Sequence, residues 1–194
     1  MAETNSYLNN LDTDKLTKVL DETEDNVKYF EGTLSDVVTA YTEHLDTLMK
    51  SVYMDIITVD NPSLDVIEKY FLELTNAIYF MGDKLENLGV KDDMSKAQYK
   101  EIYNNAYLNN QIKDAEKKNK TTVAENQAVA ESAAIYEGTV NSIYSRAYKI
   151  VKYKIDAANE MIKSLSKIIT KRLNEMSLPE RQSLNMETGE VFNG

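Results

Sequence analysis

Apolar residues recur at spacings of three and four along most of the chain, which is the pattern of an amphipathic α-helix. In the first segment these positions are Val27, Phe30, Leu34, Val37, Tyr41, Leu45, Leu48 and Val52. They predict a helix from about residue 12 to about residue 59. Asn61-Pro62-Ser63 ends it, because proline cannot continue the ladder of hydrogen bonds and Ser63 can cap the helix that follows.

The next two predicted helices are separated at Gly89. Apolar residues over 64–88 follow a 3-4-3-4-3-4-3 spacing, and Gly89 is then expected at the C′ position just beyond the helix. A third segment, from about residue 95 to about residue 118, has a thinner and more aromatic apolar face. The lysine-rich run after it suits a helix C-terminus, where cations interact favourably with the macrodipole.

The longest predicted helix opens at Thr122-Val-Ala-Glu125, which has the pattern of a capping box. Its apolar stripe reaches Met176, and Pro179 is expected to end it. About 55 helical residues would span roughly 80 Å, whereas a compact chain of this length has a radius of gyration near ~16 Å. We therefore expect the helix either to break at Gly138 or to pack against other long helices and subunits.

The sequence thus predicts an all-α fold: an elongated helical bundle or coiled coil of about four helical segments, two of them long. We expect residues 1–90 to form an acidic helical hairpin and residues 91–178 a basic-leaning hairpin, packed together as one unit. Residues 179–194 are predicted to be a polar, disordered tail. The alternative is a docking segment that inserts Phe192 into a partner or a neighbouring subunit. Self-association into a homo-oligomer is expected.

Composition removes most catalytic chemistry. The chain has no Cys, six Gly and a single His, His44. Thiolate metal sites, di-iron bundles and hydrolase triads need residues that it lacks, and no glycine-rich phosphate loop is present. We therefore expect no enzymatic activity, no cofactor and no metal. No apolar run is long enough to span a bilayer, and the polar, acidic start differs from a signal peptide, so a cytoplasmic location is expected.

The net charge of −10 conceals an asymmetry. Residues 1–90 hold 18 acidic and 6 basic side chains, whereas residues 146–172 hold eight basic and two acidic ones. On a helical wheel most of these bases share one sector of about 120° with an aromatic ring. The candidate nucleic-acid-binding residues are Arg146, Lys149, Lys152, Tyr153, Lys163, Lys167 and Lys171. The lysines would contact phosphates and Tyr153 would stack on a base.

The same stripe also fits an ordinary solvated helix face. Asp156 and Glu160 lie within it, and Lys152–Asp156 and Glu160–Lys163 have the spacing of helical ion pairs. Lys154 and Arg172 differ from the other bases, because both fall on the apolar side of the helix. A charge in that position reaches a carboxylate across an interface or extends to its rim, so both are predicted to be interface residues.

The segment Lys118–Lys171 has a lysine-rich entry, a helix started by threonine and a long amphipathic stretch with interspersed lysines. In this it resembles the UvsY-type recombination mediators of tailed bacteriophages. The resemblance implies a helical, oligomeric protein that binds single-stranded DNA and helps a RecA-like recombinase displace single-strand-binding protein. The basic stripe would then face DNA, and the acidic N-terminal half would meet a basic protein surface.

Two other functions fit the same residues. One is an oligomeric coiled-coil scaffold, virion component or assembly factor, in which the basic stripe pairs with acidic helices. The other is an inhibitor of host proteins whose acidic half mimics DNA and occupies a basic groove.

Overall fold

A computed structural model describes residues 13–117 and 121–188, and over these ranges the chain forms four α-helices and no β-strand. They are α1 (Thr13–Val52), α2 (Leu64–Lys117), α3 (Val123–Ala133) and α4 (Ile135–Thr188). A π-helical turn, Tyr53–Ile57, follows α1 directly. The all-α fold class is confirmed, and α2 and α4 each have 54 residues. Within the described residues, no helix has an apolar stretch long enough to cross a membrane.

The predicted helix end at Gly89 is wrong, because α2 continues through it without a break. A Cβ atom at Gly89 would lie 3.4 Å from Cε2 of Tyr148. The glycine therefore gives room to an aromatic ring of α4 and does not terminate a helix. Residues 95–117 of the third predicted segment accordingly form the second half of α2.

The break in the long C-terminal helix falls at Ala134, four residues before Gly138. Ala134 has φ −102° and ψ 15°. Helical bonding continues across it, since the Ala134 N–H donates to the Ala130 carbonyl at 3.1 Å and the Gly138 N–H donates to the Ala134 carbonyl at 2.9 Å. A Cβ at Gly138 would lie 3.3 Å from Cε2 of Tyr99. This glycine, too, serves close packing against a tyrosine.

The predicted end at Pro179 is also wrong, because α4 extends to Thr188. Proline's φ of about −65° is compatible with a helix, although its ring removes one backbone donor and crowds the preceding turn, which costs about 3 kcal/mol. Of the predicted tail, residues 179–188 are therefore helical, while residues 189–194, with Phe192, lie outside the described part of the chain.

Contacts group the chain into two compact units, each of which combines both halves of the sequence. The first comprises residues 1–39 and 91–147, and the second comprises residues 40–90 and 148–194. In the first unit the buried apolar residues include three alanines, together with Val38 and Ile143. Tyr99, Tyr103 and Tyr107 form a ladder of neighbouring rings along its part of α2, with centroids 6.1 and 6.5 Å apart.

The second unit has the larger aliphatic core. The largest fully buried apolar side chains of the described residues all belong to it: Leu45, Val52, Ile67, Leu74, Leu88, Val151 and Leu165. They come from α1, α2 and α4, whose apolar stripes meet in its centre. Asp46 contacts Lys154, and Asn61 contacts Arg172. The later residue of one segment contacts the later residue of the other, so α1 and α4 run parallel in this unit.

Candidate nucleic-acid interface

The outer face of α4 in the second unit carries most of the predicted DNA-binding residues. On the opposite side of the helix Val151, Ile155, Ala158 and Leu165 are buried, which directs the basic side chains outwards. We define the basic face as Lys149, Lys152, Tyr153, Lys163, Lys167 and Lys171, all of which are exposed. At 1.5 Å per residue this face extends over about 33 Å of helix.

The lysines of the basic face differ in their partners. Lys163 Nζ lies 2.6 Å from Glu160 Oε1, and Lys171 Nζ lies 3.8 Å from Glu175 Oε1. The hydrogen bond from Lys163, reinforced by its charge, lowers the pKa of Glu160. The predicted pair of Lys152 with Asp156 is not formed. Among the described residues, Lys149, Lys152 and Lys167 have no carboxylate oxygen within 4 Å. Their charge remains available to an anionic ligand.

Tyr153 is the aromatic member of the basic face, and 74% of it is exposed. It borders a shallow depression on α4 whose far side is formed by Glu160 and Lys163. A solvent-facing ring next to unpaired lysines can stack on an unpaired nucleic-acid base while the lysines contact the backbone. A base held within a duplex does not offer its face in this way.

Arg146 belongs to the first unit, and its surroundings differ from those of the lysines. Its guanidinium carbon lies 5.5 Å from the centroid of the Phe30 ring, a cation–π arrangement. The helical wheel groups Arg146 with the lysines because it considers α4 alone. The contact that Arg146 makes with α1 depends on tertiary packing, which the wheel does not contain.

The two bases on the apolar side of α4 make contacts within the chain. Lys154 Nζ lies 2.5 Å from Asp46 Oδ2 and donates to Thr42 Oγ1 at 3.0 Å, and the fully buried Thr42 in turn donates to Asp46 at 2.8 Å. Arg172 donates to the Pro62 carbonyl at 2.5 Å and to the side-chain carbonyl of Asn61 at 2.8 Å. Both therefore join α4 to α1 and the turn after it.

A second surface was missed by the sequence reasoning and lies on α2 in the same unit. A sector of about 60° around this helix contains both acidic and apolar side chains, and all of them are exposed. We call it the acidic face: Asp65, Glu68, Leu72, Tyr79, Asp83, Glu86 and Val90. A helical wheel of α2 contains this signal, but only the structure shows that the sector faces solvent.

The described residues contain no group of three His, Asp or Glu side chains arranged to hold a metal, and His44 is exposed on α1. Comparison of the chain with protein-family models, with curated proteins and with solved structures finds no match. The functional argument therefore depends on the two charged faces and their geometry.

Proposed function

We propose that the chain is a non-enzymatic accessory protein of phage DNA metabolism, of the recombination-mediator type, that binds single-stranded DNA along the basic face. Its acidic N-terminal half binds a basic protein surface, and the protein works as a homo-oligomer. The observation that carries the proposal is the exposed ring of Tyr153 beside lysines that have no carboxylate partner. The resemblance of segment 118–171 to recombination mediators supports the same function.

The number of lysines gives the expected strength of the salt dependence. Each phosphate contacted on a single strand contributes about −0.7 to the slope of log K against log salt. The three unpaired lysines give a slope of about −2, and all five give about −3.5. A fourfold rise in salt should therefore weaken binding by about 20- to 130-fold.

The direct test is fluorescence anisotropy of a labelled oligothymidylate titrated with the full chain at several salt concentrations. Lys163→Glu, Lys167→Glu and Lys171→Glu together should abolish binding at the salt concentration where the wild type half-saturates. Tyr153→Ala should remove one stacked base, at about 1–3 kcal/mol, or roughly 5- to 150-fold in affinity. A duplex of the same length should lose much less affinity from Tyr153→Ala, since its bases are already stacked.

A matched control reverses three exposed lysines outside the basic face: Lys84→Glu, Lys96→Glu and Lys100→Glu. It changes the net charge by the same amount as the α4 triple variant and should retain most of the affinity. Absence of binding at low salt would remove the proposal, and so would an equal loss in the control. For the mediator role, addition of the protein should speed the replacement of single-strand-binding protein by a RecA-like recombinase, whereas the α4 triple variant should not.

A further inference from the structure

The acidic face of α2 exposes more apolar surface than a solvated helix face requires. Leu72 is 64% and Tyr79 is 78% exposed. Phe80 extends the patch, with its ring edge-on to Tyr79 at a centroid distance of 5.3 Å. The opposite side of α2 is well packed, because Ile67, Leu74 and Leu88 are fully buried there. The exposed apolar residues are therefore additional to the core of the unit.

The carboxylates of this face have no basic partner within the described chain. Asp65, Glu68, Asp83 and Glu86 form no ion pair with described Lys or Arg residues, whereas the neighbouring Glu73 pairs with Lys69 at 3.9 Å. Four unpaired negative charges around three exposed apolar side chains define the chemistry of the occupant. It should present lysines or arginines around exposed apolar atoms.

The basic face of α4 has this composition. Its lysines lie on both sides of Tyr153 along α4, with the exposed Asp156 and Glu160 among them. Within the described residues Lys149, Lys152 and Lys167 have no carboxylate oxygen within 4 Å. The two faces also match in length: Asp65 to Glu86 covers about 32 Å of α2, and Lys149 to Lys171 covers about 33 Å of α4. Pairing of two acidic faces would bring like charges together, which disfavours a symmetric α2–α2 contact.

We propose that the acidic face of one copy docks onto the basic face of a second copy. Tyr79 and Leu72 pack beside Tyr153, and the carboxylates of α2 meet the lysines of α4. The contact joins two different surfaces, so it is heterologous: the first copy keeps its basic face free, and the second copy keeps its acidic face free. The inference deepens the proposed function by identifying the basic surface as α4, but it does not require DNA to bind there. Where DNA does bind, it competes with the second copy.

The test is sedimentation velocity of the full chain over a range of concentrations and salt. The wild type should associate at low salt and dissociate as salt rises. Reversal of the α2 charges (Glu68→Lys, Asp83→Lys, Glu86→Lys) should give a monomer, and so should the α4 triple variant. The two variants mixed should associate again, because each then offers a surface complementary to the other. Leu72→Ser with Tyr79→Ser, which keeps every charge, should raise the concentration needed for association by at least about tenfold.

The matched control reverses three exposed acids of the first unit (Asp36→Lys, Glu101→Lys, Glu131→Lys) and should associate like the wild type. Circular dichroism checks that each variant is helical. A wild type that stays monomeric at low salt would overturn the inference, and so would an α2 variant that associates normally. DNA binding is scored separately: the α2 variant should retain it. If neither the wild type nor any variant binds DNA, but association still depends on both faces, the proposed function fails and this inference stands.

Discussion

The ion pair between Lys154 and Asp46 is expected to stabilise the second unit by more than a fully exposed ion pair would. The side chains of Lys154 and Asp46 are 31% and 37% exposed, and the fully buried Thr42 hydroxyl joins the pair. Fully exposed pairs contribute about 0.2–1 kcal/mol, and hydrogen bonds to charged groups contribute about 1.5–3 kcal/mol. Since this pair is about two-thirds buried, we expect a coupling free energy of about 1–2 kcal/mol.

The assay is a double-mutant cycle with Lys154→Met and Asp46→Asn. Each single variant leaves one partly buried charge without its partner, so each should lose stability, whereas the double variant should lose less than the sum. Urea unfolding followed by circular dichroism and by tyrosine fluorescence gives the free energies, provided that the two transitions coincide. The 13 Tyr and absence of Trp make tyrosine the fluorescent probe.

The chain contains a matched control for this cycle. Glu160 and Lys163 are also in close contact, at 2.6 Å, but their side chains are 70% and 65% exposed. Because both side chains are largely solvated, their coupling should be clearly smaller than that of Lys154 with Asp46. Equal coupling energies in the two cycles would refute the reasoning, because burial would then have no effect on the strength of the Lys154 contact.

Three further experiments test other parts of the fold. Gly32→Ala should stabilise the protein by about 0.5–1 kcal/mol, since a Cβ there meets nothing within 4 Å. Gly138→Ala should gain less stability or lose some, because its Cβ would press on the ring of Tyr99. Thermal unfolding of the two variants measures the difference. Thr122→Ala removes the capping box of α3 and should cost about 1 kcal/mol, with faster hydrogen exchange in the first turn of α3. The hydrogen bond to Asp55, followed by burial, raises the pKa of Tyr70 above 10.0, so its stabilising contribution is present below pH 10 and is lost as pH rises further. Tyrosinate absorbance should show a late-titrating component, which Tyr70→Phe should remove.

The helices could be predicted because the spacing of apolar residues and the Pro62 turn are local signals. The roles of Gly89 and Gly138 could not be predicted. The sequence does not distinguish a glycine that ends a helix from a glycine that makes room for an aromatic ring. Their difference lies in Tyr148 and Tyr99, which are distant along the chain and adjacent only after packing. The continuity of α2 follows from that packing and so was missed.

For the charged surfaces, too, some features could be predicted from the sequence and others depend on packing. The helical wheel indicates that the lysines of the basic face share one side of α4 and that Lys154 lies on the other side. It cannot choose Asp46 as the carboxylate that Lys154 contacts, since this choice requires the alignment of α1 with α4. Binding of DNA stays a prediction. The net charge of a sequence segment does not indicate the acidic face of α2, because that face is defined by positions around the helix and by their exposure.

The contacts of Lys154 and Arg172 also select one alignment of α1 with α4. Apolar stripes that repeat every three and four residues would tolerate a slip of seven residues, which brings similar side chains back into contact. Lys154 and Arg172 lie 18 residues apart on α4. Their partners, Asp46 in α1 and Asn61 in the turn that follows, lie 15 residues apart. A slip of seven would bring Thr39 or Tyr53 to the place of Asp46, so that Lys154 would lose its carboxylate, and it would leave Arg172 without the carbonyl of Pro62. These two side chains therefore give a repetitive sequence a single register.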